Sequence, residues 1–105
     1  MSGARNKDFG ELVQALLLVE NADEAQRFLR DLLTDSEIAE LAARWRAARM
    51  LEQGDSYARI TDVTGLSSTT VARVSRWVKK GTGGYRLVLS RLPKAKSKRG
   101  LRTTL

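Results

Sequence analysis

The chain of 105 residues is the size of one domain, and with 42% hydrophobic and 30% charged residues it has a globular rather than a disordered composition. It contains no cysteine and no histidine, so disulfides, thiolate metal sites and thiol nucleophiles are excluded, and an enzyme would lack the commonest general base. The net charge of +7 is split unevenly: residues 1–62 carry all 12 acidic side chains against 8 basic ones, whereas residues 63–105 carry 11 basic side chains and no acidic one.

Apolar residues recur with a helical period from residue 9 to about residue 92, and no segment alternates as a strand, so the expected fold is all-α with about six helices. Phe9, Leu12, Val13, Leu16, Leu17 and Val19 form the stripe of a first helix, with Asp8 as its expected N-cap. Leu18 widens the stripe beyond one face, and in so short a chain a second copy is the natural cover. A second helix is expected over 23–33, with Ala25, Phe28, Leu29 and Leu32 inward. Thr34 to Glu37 then make a capping box, in which the hydroxyl and the carboxylate each accept the other residue's backbone N–H. The long helix that follows should bury Ile38, Leu41, Ala42, Trp45, Ala48 and Leu51 and stop at Gly54.

A short helix is expected over 56–64 and another from about Ser67 to Lys80, broken by Gly81-Thr82-Gly83-Gly84. A last one over 85–92 presents Leu87, Val88 and Leu89, with Pro93 just beyond. Residues 1–92 thus read as a single helical domain, and 93–105 as a basic tail without periodicity that should be disordered alone. The longest apolar run is Ala15 to Val19, far short of the ~18 residues a membrane helix needs. Residues 1–8 lack the apolar core of a signal peptide. A soluble, cytoplasmic protein without membrane contact is expected.

The segment from Ile60 to Trp77 carries the sharpest pattern. Two short helices meeting steeply around a tight turn need a residue that accepts the left-handed conformation, and Gly65 supplies it. Leu66 plugs the angle, while Ile60, five residues before the glycine, and Val71 and Val74, six and nine after it, face inward. Ser67 caps the second helix, giving a helix-turn-helix over about 56–80. Thr61 and Thr64 depart from the pattern, standing where alanine and an apolar residue are usual.

The second helix of this motif has the composition of a groove reader. Ser67, Ser68, Thr69 and Thr70 are short hydrogen-bonding side chains at its N-terminus, where they can approach base edges and phosphates. One cap explains one hydroxyl, not four in succession. Arg73, Arg76, Lys79 and Lys80 continue down the helix without an intervening carboxylate, and Arg59 adds a cation on the preceding helix. The one-signed charge of residues 63–105 attracts a polyanion. A solubilising tail accounts for the six cations from Arg91 onward, yet residues 63–90 alone still hold five.

From Leu32 to Tyr85 the sequence, LLTDSEIAELAARWRAARMLEQGDSYARITDVTGLSSTTVARVSRWVKKGTGGY, resembles the trp repressor superfamily, and more closely its YerC/YecD-type relatives. The carrying features are the Leu-Thr opening of a long helix, the Arg44 and Arg46 pair, the Gly54 stop, the Gly65 turn, the Thr-rich helix start and the GTGGY exit. The resemblance implies an intertwined homodimer that binds operator DNA through two helix-turn-helix units. It also implies a possible effector pocket: Arg44 and Arg73 match the two arginines that sandwich the indole of tryptophan in the trp repressor, and Thr34 matches its wall. Against such a pocket, Val74 replaces a glycine and should project into the ligand's space. Arg76 and Trp77 replace small polar residues, leaving no partner for the ligand's amino group. No cofactor is therefore expected, and tryptophan is not expected as corepressor.

Three readings follow. The first is a sequence-specific, dimeric regulator of transcription, a repressor by resemblance, acting on double-stranded DNA. The second is a basic architectural or RNA-binding protein without strong sequence preference, which would lean on Lys and Arg contacts to phosphates. The third is a protein-interaction module, against which the charge split argues. An enzyme is not expected, because Glu52, Asp55 and Asp62 are scattered polar positions that nothing pairs with a nucleophile.

Overall fold

Six helices and no strand make up residues 3–93, the part of the chain described by the computed structural model: α1 (Gly3–Leu17), α2 (Ala22–Leu32), α3 (Asp35–Glu52), α4 (Tyr57–Thr64), α5 (Ser68–Lys80) and α6 (Gly84–Ser90). The all-α expectation holds. The tail expectation, from Pro93 onward, lies almost wholly outside the described residues. The chain divides into two compact units between Ala39 and Glu40.

The first unit holds α1, α2 and the start of α3. Helix α1 begins at Gly3, so Asp8 lies inside it rather than capping it; no Pro stands in residues 3–8 to stop the helix from running back past Asp8. It ends in a tightened turn, where the N–H groups of Leu18 and Val19 donate to Ala15 and Leu16. Helix α2 starts one residue earlier than its pattern suggests, because Asn21 caps it and Glu24 reaches back to the residue before that cap. The Asn21 Oδ1 accepts from the Glu24 N–H at 2.9 Å, and Glu24 Oε1 accepts from the Glu20 N–H at 2.9 Å. The Thr34 box opens α3 as expected: Thr34 N–H donates to Glu37 Oε1 at 2.9 Å and Glu37 N–H to Thr34 Oγ1 at 3.1 Å. Among the described residues up to Ala39 none is buried, and Phe9, Leu17 and Leu18 are 68%, 72% and 77% exposed.

The second unit has a core of Ala47, Ala48, Met50, Ile60, Val71, Val74, Val78 and Leu89, with Trp45, Leu51, Val63, Leu66 and Tyr85 packed on its edge. Ile60, Val71 and Val74 are its largest fully buried side chains, each contributing about 1.5–3 kcal/mol of transfer free energy. Helix α3 joins this core from Ala47 onward. Leu41 and Ala42, expected inside, are exposed, and Ile38, Trp45 and Leu51 are only half-buried. Helix α6 buries Leu89 and leaves Leu87 and Val88 exposed. It ends at Ser90 rather than at 92, where the Ser90 hydroxyl donates to the Leu87 carbonyl at 2.7 Å and competes with the backbone.

Candidate nucleic-acid interface

Helices α4 and α5 are joined by Gly65, Leu66 and Ser67, and they pack directly against each other. Gly65 adopts φ +78° and ψ 1° while its N–H donates to the Thr61 carbonyl, which is the left-handed C-terminal cap the turn needs. Ile60, Val71 and Val74 lock the pair from inside, and Leu66 packs at the edge of the same core. The two departures from the usual pattern are absorbed by hydrogen bonds. Thr61 Oγ1 donates to the Ala58 carbonyl at 2.9 Å, whereas Thr64 Oγ1 donates to the Ile60 carbonyl at 2.7 Å and accepts from the Leu66 N–H at 3.2 Å. Thr64 thus satisfies a backbone donor that the turn would otherwise leave without a partner.

Ser67 caps α5 as expected, accepting from the Thr70 N–H at 3.1 Å, and its hydroxyl also donates to Thr70 Oγ1 at 3.0 Å. The four hydroxyls therefore divide into two classes. Ser67 and Thr70 are committed to the cap, while Ser68 and Thr69 are exposed and, among the described residues, have no side-chain hydrogen-bond partner. Helical spacing orders the rest of α5. Val71, Val74, Ser75 and Val78 are buried on one side. Thr69, Arg73, Arg76 and Lys80 recur at i, i+4, i+7 and i+11, which lines them up on the opposite side, all exposed. Ser68 and Lys79 flank that line, also exposed. Helix α5 carries no carboxylate, so this face is a row of cations headed by two hydroxyls.

The helix ends where it does because of Gly81. A Cβ there would lie 2.5 Å from the Trp77 carbonyl oxygen, so only glycine lets the chain leave α5 this closely. Arg59, on α4, is exposed and pairs at 3.5 Å with Asp55. It belongs to the same motif as the α5 row, but it is partly neutralised.

The residues of the possible effector pocket are differently placed. Thr34 lies in the first unit, with its hydroxyl taken up in the capping box. Arg44 is half-buried, and its Nε donates to Glu40 on its own helix at 3.3 Å. Arg73 is one of the exposed α5 row. Val74, which stands in place of a glycine, is fully buried in the helix-turn-helix core. Tyr85 was not legible as a neighbour of this region. Its ring stacks on Trp45 with centroids 6.4 Å apart and an interplanar angle of 1°. Burial pushes its hydroxyl above the usual pKa, and the nearby Arg44 charge opposes that shift. Trp77, Lys80 and Tyr85 line an open groove of about 620 Å³ with Gly81, Thr82 and Gly84.

Residues 7–93 match the model of the Trp repressor protein family. The chain is 38% identical over 88 residues to the uncharacterized protein YerC of Bacillus subtilis (strain 168), covering 84% of this chain and 85% of that one. It superimposes on a TrpR-like protein from Eubacterium eligens ATCC 27750 with a TM-score of 0.75 and 36% identity, covering 84% of this chain and 94% of that one. A candidate Trp repressor from Staphylococcus aureus matches with a TM-score of 0.75 and 38% identity, over 81% of this chain and 85% of that one. With the helix-turn-helix built from α4 and α5, the chain belongs to the Trp repressor family, a family of DNA-binding regulators of transcription.

Proposed function

We propose that this protein is a dimeric repressor that reads double-stranded DNA by laying α5 in the major groove. The observation that carries the reading is the outer face of α5. Ser68 and Thr69 offer unused hydroxyls at its N-terminal end, and Arg73, Arg76 and Lys80 follow on the same side without a carboxylate. Hydroxyls at a helix start suit base edges, and the cations behind them suit the flanking phosphates. Arg59, Lys79 and the committed pair Ser67 and Thr70 border this surface in the proposal.

The dimer is supported by the first unit, which buries none of its described residues and exposes Phe9, Leu17 and Leu18 on α1 and its exit. So much apolar surface on a small unit marks an association site. In this reading tryptophan is not the corepressor. Arg44 is held by Glu40, and Trp77, a bulky side chain in place of a small polar one, is 40% exposed beside the groove.

The second reading, binding without sequence preference, draws on the 11 cations and absent carboxylates of residues 63–105. Selection of binding sites from random duplex DNA separates the two. The proposal predicts enriched paired half-sites, with centres about one helical turn apart or a multiple of it, ~34–36 Å. Recovery of duplexes with no shared sequence favours the second reading.

A further inference from the structure

The C-terminal part of α3 and the start of α4 enclose a cleft of about 190 Å³, lined by Arg46, Arg49, Gln53, Asp55 and Arg59 together with Met50 and Val63. Its origin is local. Arg46, Arg49 and Gln53 recur at i, i+3 and i+7 and so share one face of α3. The turn through Gly54 and Asp55 then returns the chain so that Arg59 of α4 joins the same wall. Three arginines and one carboxylate residue therefore line the same cleft.

That carboxylate, Asp55, pairs with Arg59 at 3.5 Å. Among the described residues neither Arg46 nor Arg49 has a carboxylate within ion-pair distance. Arg49 is the more telling of the two: its Nε is buried and has no hydrogen-bond partner. A buried donor without an acceptor is uncommon in a folded chain, and a turn of the Arg49 side chain toward the cleft it lines would bring this donor to an acceptor bound there. The helix ends do not decide the matter, because the negative end of α3 and the positive start of α4 meet here and offset each other.

We infer that this cleft is a binding site for a single phosphate group, held by Arg46, Arg49 and Arg59. Guanidinium forks match carboxylates and phosphates alike, but a carboxylate has only two oxygens to share among three arginines, and a phosphate has more. At ~30 Å³ per water the cleft holds about six waters, which suits an oxyanion and its hydration and not a whole nucleotide. Asp55 opposes the anion and weakens the site. The phosphate comes either from the backbone of a bound duplex or from a free phosphate or phosphomonoester. The site itself does not rest on the DNA-binding reading, because inorganic phosphate is a sufficient ligand.

The test uses the full chain and has two arms. In the first, inorganic phosphate is titrated without DNA at constant ionic strength, followed by phosphorus NMR and by the thermal midpoint. Saturable binding is expected that is lost in Arg46→Gln and Arg49→Gln and tightens several-fold in Asp55→Asn. Arg46 is exposed, so its variant keeps the test informative where Arg49→Gln disturbs packing. In the second arm the salt dependence of duplex binding is measured. A backbone source predicts that Arg46→Gln lowers the slope by about 0.9 for every sequence and leaves sequence preference alone. A positive first arm assigns free phosphate as ligand, and a positive second arm alone assigns the DNA backbone. Phosphate binding equal in wild type and Arg46→Gln, together with an unchanged slope, overturns the inference, as does weaker phosphate binding by Asp55→Asn. A wild type that binds no DNA leaves the first arm intact and sinks only the DNA reading.

Discussion

Replacing Gly65 with alanine isolates the backbone requirement of the helix-turn-helix from its packing. Gly65 sits at φ +78°, and a Cβ built there meets nothing within 4 Å, so no steric contact enters the cost. What is left is the left-handed conformation itself, about 1–2 kcal/mol for a residue with a side chain. Alanine also stiffens the unfolded chain, which returns about 0.4–1 kcal/mol. The net loss is then about 0–1.6 kcal/mol, with a midpoint of about 0.8 kcal/mol. For a domain of this size each kcal/mol moves Tm by about 4–8 °C, so a drop of roughly 3–6 °C is expected at the midpoint. Circular dichroism under heating and urea gives both quantities. Gly10 is the control: it lies inside α1 with open space around it, and Gly10→Ala should stabilise by up to ~1 kcal/mol through helix propensity. A raised Tm for Gly65→Ala would show that the turn is not left-handed. A loss above about 3 kcal/mol would show that the position is close-packed, and either result refutes the reasoning.

Leu17→Glu places a charge on the exposed apolar face of α1 and should abolish dimerisation and cooperative folding together, read by light scattering and denaturation; a folded wild-type monomer in dilute solution would contradict the dimer. Deleting residues 94–105 removes Lys94, Lys96, Lys98, Arg99 and Arg102. It should weaken binding to all duplexes alike and lower the salt slope by about 0.9 per lost phosphate contact, and a changed sequence preference would count against a purely electrostatic tail. Calorimetric titration with L-tryptophan should give no saturable heat and leave DNA affinity unchanged; micromolar binding that tightened DNA binding would show that Arg44 leaves Glu40 to stack on the ligand.

The helix-turn-helix was legible because its constraints are local. Gly65, the Ser67 cap and the spacing of Ile60, Val71 and Val74 are all set within 15 consecutive residues, where backbone geometry leaves few solutions. The Thr34 capping box was legible for the same reason. The Asn21 cap was not, since Asp23 and Glu24 compete as start signals and only the carboxylate reach-back to Glu20 decides between them. Leu41, Leu87 and Val88 have helical periodicity yet stay exposed, because periodicity marks an apolar face without saying whether this chain or another covers it. The stack of Trp45 on Tyr85 joins residues far apart in sequence. Nothing in the local sequence brings Arg46 and Arg49 together with Arg59, and only the return of α4 shows that they wall a cleft. In the four-hydroxyl start of α5, the sequence could not separate Ser67 and Thr70, which bond each other, from Ser68 and Thr69, which do not.

That last division allows the most direct test of the central claim, that the outer face of α5 reads bases. Thr69→Val exchanges a hydroxyl for a methyl at nearly constant volume on an exposed residue. Sites selected from random duplexes by wild type and by this variant should differ at one base pair in each half-site. Discrimination there should fall by about 1–3 kcal/mol, with binding to unrelated duplexes unchanged. Arg76→Ala, by contrast, should weaken all duplexes alike. Identical sites at identical strength from wild type and from the double variant Ser68→Ala, Thr69→Val would contradict the claim.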